Sequence, residues 1–428
     1  MKLSFASALL MAATLLSGCS NGDGSGSKPS PATTGSDSEK LLNDDLKKVR
    51  FNAKQANSDG FIDVEVGPDD ISMHLTFVME DASKAVLVTE IRDPKGATIY
   101  KADVDFDTGE AESIESNFAD TTFGEVGNMA VFLPPSPKLE LVEGRYRFTL
   151  LREDDSPLKS VNGLIKSIPA GLPVDKQAYK ADLNIWIVHP EPAFNDDAFK
   201  QLIKTEYKDS INRILAPHAL SIDAINIFTA TEAEKAKFAD LDVETGLEDA
   251  CLAMLPATQN KLALNLVYTR ELTAKGEDGP AGISSAPGPM LDDTASNGCF
   301  FVSQRAYVAD NDGFTQDLAN QMMAGNILHE ASHFMSLEHP TEEHGDDFDF
   351  FSDTPQCDAA TFDGRGNTEF GVFVPGEKDG IMSDYECGID GGAKNFLFWG
   401  GVPEYLPFEM SEEQAKTVRR HPLFTRVK

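Results

Sequence analysis

His329-Glu330-Ala331-Ser332-His333 is the segment of this chain whose residue types and spacing most plainly suit chemistry. Two histidines four apart lie on one helix face, about one turn apart, so both rings can meet a single metal ion. Glu330 between them need not ligate; it can take a proton from an attacking water and pass it to a leaving amine. Such pentapeptides recur by chance, so the downstream context matters. His339 offers a third imidazole. In a continuous helix it would sit about 240° around from His333, at about 100° per residue, and could not ligate. The chain must therefore turn after His333, and Pro340 supports this because the residue before a proline avoids the helical region. Three protein ligands leave a fourth position open, as in catalytic rather than structural zinc sites. Glu338, His344 and Asp346 are nearby alternatives for the third ligand, with His339 favoured by spacing.

The elements that must hold these residues can be read around them. Helical spacing covers Leu318 to Met335, with Leu318, Met322, Leu328, Ala331 and Met335 available to a core and Thr315 or Asp317 as the cap. Upstream, Leu183 to Val188, Ile222 to Phe228, Leu262 to Tyr268 and Cys299 to Val302 read as strands. Asp196 to Leu215 reads as a helix with Phe199, Ile203, Tyr207 and Ile211 on one face. Gly276 to Gly298 reads as loop. Earlier still, Phe61 to Glu153 holds short alternating runs between turn signals such as Asp93-Pro94-Lys95-Gly96, the pattern of a β-sandwich. His74 is expected to be a strand residue rather than a ligand. Ile168 to Pro173 reads as a linker. The fold class is therefore α+β: an all-β sandwich over 51–168, then a domain over 178–428 with a twisted mixed sheet and the His-bearing helix.

The N-terminus suggests a compartment. Met1-Lys2 precedes an apolar run to Leu16, then Leu16-Ser17-Gly18-Cys19. A basic start, a short apolar stretch and small residues describe an export signal over 1–18. The run is shorter than the about 20 residues of a comfortable membrane span. Its end resembles the lipobox of bacterial lipoproteins, which implies a lipidated Cys19, and Ser20 after it implies the outer membrane. Residues 19–50, opening on a Ser, Gly, Pro and Thr run, read as a flexible tether.

Lys plus Arg number 37 against 70 Asp plus Glu, a net charge of -33. That makes nucleic acid an improbable partner, because phosphate binding needs clustered positive charge. Beyond Cys19 four cysteines remain: Cys251, Cys299, Cys357 and Cys387. An even number in an exported chain suggests two disulfides out of three possible connectivities. Cys251–Cys299 and Cys357–Cys387 are preferred, since each pair brackets one stretch; free buried thiols are the alternative. With no cysteine between Cys19 and Cys251, a thiolate from the amino-terminal region cannot cap the metal. The acidic run Glu342, Glu343, Asp346, Asp347, Asp349 and Asp353 could bind calcium, which takes six to eight oxygens, or could be a solvated loop.

From His329 to His339 the sequence resembles the metzincin metallopeptidases, whose motif is His-Glu-x-x-His-x-x-Gly-x-x-His followed by a Met-turn. Gly380-Ile381-Met382-Ser383-Asp384-Tyr385 looks like that turn. Ser352-Asp353-Thr354-Pro355 with Cys357 and Cys387 is similar to the pappalysin-type branch. The resemblance implies a zinc endopeptidase with ligands His329, His333 and His339, base Glu330, and Met382 as a hydrophobic floor. It also implies a strand near Ala281 to Ala286 that aligns an extended substrate, and it strengthens the expectation of calcium. Two positions depart from the pattern. Ser336 stands where glycine is usual, at a cost of about 1 kcal/mol if the site needs positive φ. Asp384 stands two residues after Met382, where some members place a tyrosine near the metal; here Tyr385 is one further on, a candidate catalytic residue or else a packed tyrosine with its hydroxyl satisfied. A zinc-site binding protein without turnover, and a zinc hydrolase of non-peptide substrates, are the competing readings.

Overall fold

The computed structural model describes residues 37–43, 45–51, 53–105, 110–116, 124–169, 171–190, 196–254, 258, 262–290, 298–307, 315–362, 367–369, 372–374, 381–382, 384–400 and 406–427. Cys19 and the export signal lie outside them. No helix among the described residues is long and apolar enough to cross a membrane. The described residues divide into two compact units: those within 37–70, 74–131 and 142–167 form one, and those within 71–73, 132–141 and 168–427 the other.

Strands dominate the amino-terminal part of the chain. One sheet runs Asp37–Asn43, Leu46–Phe51, Leu158–Ser167, Asp70–Met79, Asn128–Leu133 in spatial order; a second runs Phe61–Val66, Gly144–Arg152, Ala85–Arg92, Thr98–Asp105, Glu110–Ser116. Period-two patterning sets which side chains face inward. Tyr146 pairs with Val64 and Phe148 with Ile62, and all four are buried. The alternate pairs Arg147–Asp63 and Arg145–Glu65 face outward as ion pairs of 2.7 and 2.6 Å. His74 is buried within the strand Asp70–Met79. Two strands, Asp37–Asn43 and Leu46–Phe51, fall inside the span read as tether. Lysines in Leu46-Lys47-Lys48-Val49 hide the strand signal there, yet Leu46 is fully buried.

In the second unit a mixed sheet has the order Leu220–Thr229, Tyr179–Ile187, Leu264–Thr269, Phe300–Ser303, Gly282–Ile283. The first four strands are mutually parallel, and Gly282–Ile283 is an antiparallel edge. Register is fixed by polar groups as well as apolar ones. Asn226 donates to Asn184 at 3.0 Å and Asn184 to Asn265 at 2.8 Å. Asn265 donates in turn to the carbonyls of Ala263 and Gly298. Asn184 and Asn265 are buried, so any slip would leave amides unsatisfied.

The helix over Asp196–Leu215 contains a π-turn at Ile203–Tyr207; Phe199, Ile203, Tyr207 and Ile211 are all buried. Two further helices, Glu232–Phe238 and Leu247–Met254, were not expected. The first has a readable signal, the Thr231/Glu234 capping box. Within the expected loop, Glu277–Asp278 and Gly282–Ile283 are strands too short to show a period. Disulfides join Cys251 to Cys299 and Cys357 to Cys387, with all four residues buried. They close loops of 48 and 30 residues, worth about 3 to 4 kcal/mol each in the chain-entropy account.

Candidate metal centre

The helix Gln316–Phe334 carries the site. Thr315 caps it, accepting from the Leu318 N–H. Burial covers nearly every face, with Met322, Met323, Ala324, Ile327, Leu328 and Ala331 all buried and Leu318 only partly so. Two asparagines on this helix reach other elements: Asn320 donates to Glu206 at 2.8 Å and Asn326 to the Ala281 carbonyl at 3.1 Å.

The helix stops where the ligand spacing needs it to stop. Leu337 N–H donates to Ser332 O at 3.0 Å and Ser336 N–H to His333 O at 2.8 Å, the paired bonds of a Schellman ending. Ser336 takes the left-handed position, φ 72°. A glycine is unstrained there, so Ser336→Gly is expected to raise unfolding free energy by about 1 kcal/mol. Urea denaturation checks this, and an unchanged or lowered midpoint would refute it.

This turn brings His339 back over the helix. The Nε2 atoms of His329, His333 and His339 form a triangle with all three edges 3.0 Å. Each ring is oriented through its other nitrogen. His329 Nδ1 donates to Phe396 O at 3.0 Å, His333 Nδ1 to Leu337 O at 2.8 Å, and His339 Nδ1 to the Glu342 carboxylate at 2.9 Å. Carbonyl and carboxylate oxygens only accept, so each Nδ1 carries the hydrogen and each Nε2 presents a lone pair. Burial pushes the His329 imidazole down to about 3, reinforced by His339. Burial likewise pushes His333 well below its ordinary value, with His339 and His329 adding to it. Three neutral lone pairs converging at 3.0 Å repel one another unless a cation lies among them. The donor set therefore fits a divalent metal of borderline softness. Among the described residues these three histidines are the one group arranged to hold a metal ion; Glu338, His344 and Asp346 are not part of it.

Glu330 is buried on the same helix, and burial pushes its carboxyl up to about 8. Its side chain packs against the edge strand: a methyl group at Gly282 would lie 2.5 Å from both Cγ and Oε1 of Glu330. Met382 is fully buried, in a cluster with Cys357, Phe362, Cys387, Ala393 and Phe398. Its N–H donates to Glu343 O at 2.6 Å and its carbonyl accepts from Trp399 Nε1 at 2.7 Å. Tyr385 falls in the short helix Asp384–Cys387; its side chain lies outside the described part of the structure. Sequence reasoning missed Phe396 and Leu337, read Glu342 only as a calcium candidate where it is the partner of His339, and reached Gly282 only through the expected strand near Ala281 to Ala286. Main-chain acceptors leave no signal in residue type, whereas a carboxylate three residues past a candidate ligand could have been noticed.

No family model matches the chain, and no curated protein matches it in sequence. Among solved structures it is similar to the crystal structure of archaemetzincin from Methanopyrus kandleri, with 14% identity, 39% of this chain and 78% of that chain covered, and a TM-score of 0.27. At that score the likeness assigns no activity.

Proposed function

We propose that the chain is a zinc endopeptidase of the metzincin type, nearest the pappalysin-type branch. The observation that carries the reading is the convergence of three neutral imidazole lone pairs beside a buried carboxylate. His329, His333 and His339 would hold zinc, which when bound polarises a carbonyl and makes water a better nucleophile near neutral pH. Glu330 accepts the proton of the attacking water at its carboxylate and returns it to the leaving amine. Desolvation makes that carboxylate a stronger base than one in water, and a cation held by neighbouring side chains favours its ionised form. Gly282–Ile283 forms the end of its sheet, so its outer main-chain groups suit an extended peptide added as a further strand. The test is cleavage of a diverse peptide library by the zinc-loaded chain beside Glu330→Gln. Cuts made only by the wild type support the reading; none from either protein would sink it.

Location and calcium belong to the same proposal. Lipidation of Cys19 would anchor the protein in the bacterial envelope, at the outer membrane by the residue that follows. No three carboxylates of the acidic run converge among the described residues, and Glu342 is engaged by His339, so calcium rests on Asp349 alone, which is buried. Its Oδ1 accepts from Thr354 Oγ1 at 2.6 Å and from the Phe351 N–H at 3.2 Å, while Oδ2 has no hydrogen-bond partner among the described residues. Burial pushes this carboxyl up to about 7, against the hydrogen bond from Thr354. A cation would satisfy both the free oxygen and its charge. Calcium at about 100 times its dissociation constant is expected to raise the melting midpoint of chelator-stripped protein by about 5 to 10 °C. An unmoved midpoint would remove calcium from the account.

A further inference from the structure

We infer that Glu342 is a positioning residue for the third metal ligand, holding His339 in the orientation the site needs; this rests on the zinc reading above. The three histidines are not equivalent in what frames them. His329 and His333 belong to the helix Gln316–Phe334, which sets their directions, and main-chain carbonyls take their Nδ1 hydrogens. His339 follows the helix end, beyond the left-handed Ser336 and before Pro340, where no regular element orients a ring. Its Nδ1 faces both carboxylate oxygens of Glu342, at 3.0 and 2.9 Å.

Glu342 is itself held. Its N–H donates to Asp347 O at 3.0 Å, and its carbonyl accepts from the Gly345 N–H at 2.9 Å. Gly345 has φ +64°, and a methyl there would lie 2.5 Å from Met382 Cγ. The next residue, Glu343, accepts from the Met382 N–H at 2.6 Å. The turn 342–345 thus ties the third ligand's partner and Met382 to one short segment. A carboxylate on the distal nitrogen also makes an imidazole a stronger donor than a carbonyl does.

The experiment is zinc affinity by chelator competition on the full chain, for wild type, Glu342→Gln, Glu342→Ala and His339→Ala. Losing such a partner typically costs ten- to a hundredfold in metal affinity. The Glu342 side chain is 47% exposed, so water competes for it and Glu342→Ala is expected to lose about tenfold. Glu342→Gln keeps an acceptor oxygen without the charge and is expected to recover part of that loss. The same series loaded with cobalt should show a changed visible spectrum in Glu342→Ala that Glu342→Gln partly restores, which a purely structural defect would not produce. Wild-type affinity in both Glu342 variants, with zinc lost in His339→Ala, would overturn the inference and leave the metal site standing. A wild type that holds no zinc would overturn both.

Discussion

Glu330→Gln is expected to bind zinc as the wild type does and to lose peptide hydrolysis by about 10²- to 10⁴-fold, the span typical of removing a general base. The substitution keeps volume and shape, and the three imidazoles remain held by Phe396, Leu337 and Glu342, none of which touches Glu330's role. What disappears is the proton acceptor. Burial already pushes this carboxyl up to about 8, so a neutral amide in its place introduces no charge to desolvate, and folding should not suffer. The measurement pairs steady-state cleavage of a peptide chosen from the library with zinc content of the same sample. Zinc retained with activity lost places Glu330 in the chemistry. Zinc and activity both retained would show that proton transfer runs through another group.

Much of this site is legible in the amino-acid sequence, for identifiable reasons. The spacing of His329 and His333 is a property of helix geometry, and the need for a turn before His339 follows from the same angle. Ser336, a strained position by its place in the pattern, has φ 72°. The preferred disulfide pairs are those found. The parts that escape depend on what lies opposite in space. Phe396 is 67 residues from the histidine it orients, and its carbonyl carries no trace of side-chain identity. Leu46–Phe51 escapes because its lysines break the apolar alternation, although its partner Leu158–Ser167 supplies the pairing. Gly282–Ile283 is too short to carry a period, so only the resemblance suggests a strand near it.

Gly282→Ala is expected to keep zinc and lose at least about 10²-fold in turnover, a scale set by how steeply rate falls when reacting groups are misplaced by about 1 Å. A Cβ at this position would meet Glu330 Cγ and Oε1 at 2.5 Å and Cδ at 2.6 Å, closer than real contacts allow. One of the two sides must give. The strand is pinned through Ala281, whose carbonyl accepts from both the Ser303 N–H at 2.8 Å and Asn326 Nδ2 at 3.1 Å, and Gly282 itself pairs with Val302. Moving the strand would break bonds that tie it to the sheet and to the site helix. Rotating Glu330 breaks none of these, so the base is the side that yields. The ligands do not depend on that rotamer, which is why zinc should remain. A double-mutant cycle separates this from general damage: in the Glu330→Gln background, Gly282→Ala should cost almost nothing more, because the group it displaces has already lost its function. Full turnover in folded, zinc-loaded Gly282→Ala would mean that Glu330 can act from another position, and an additive loss in the double variant would mean that the strand acts on substrate independently of the base.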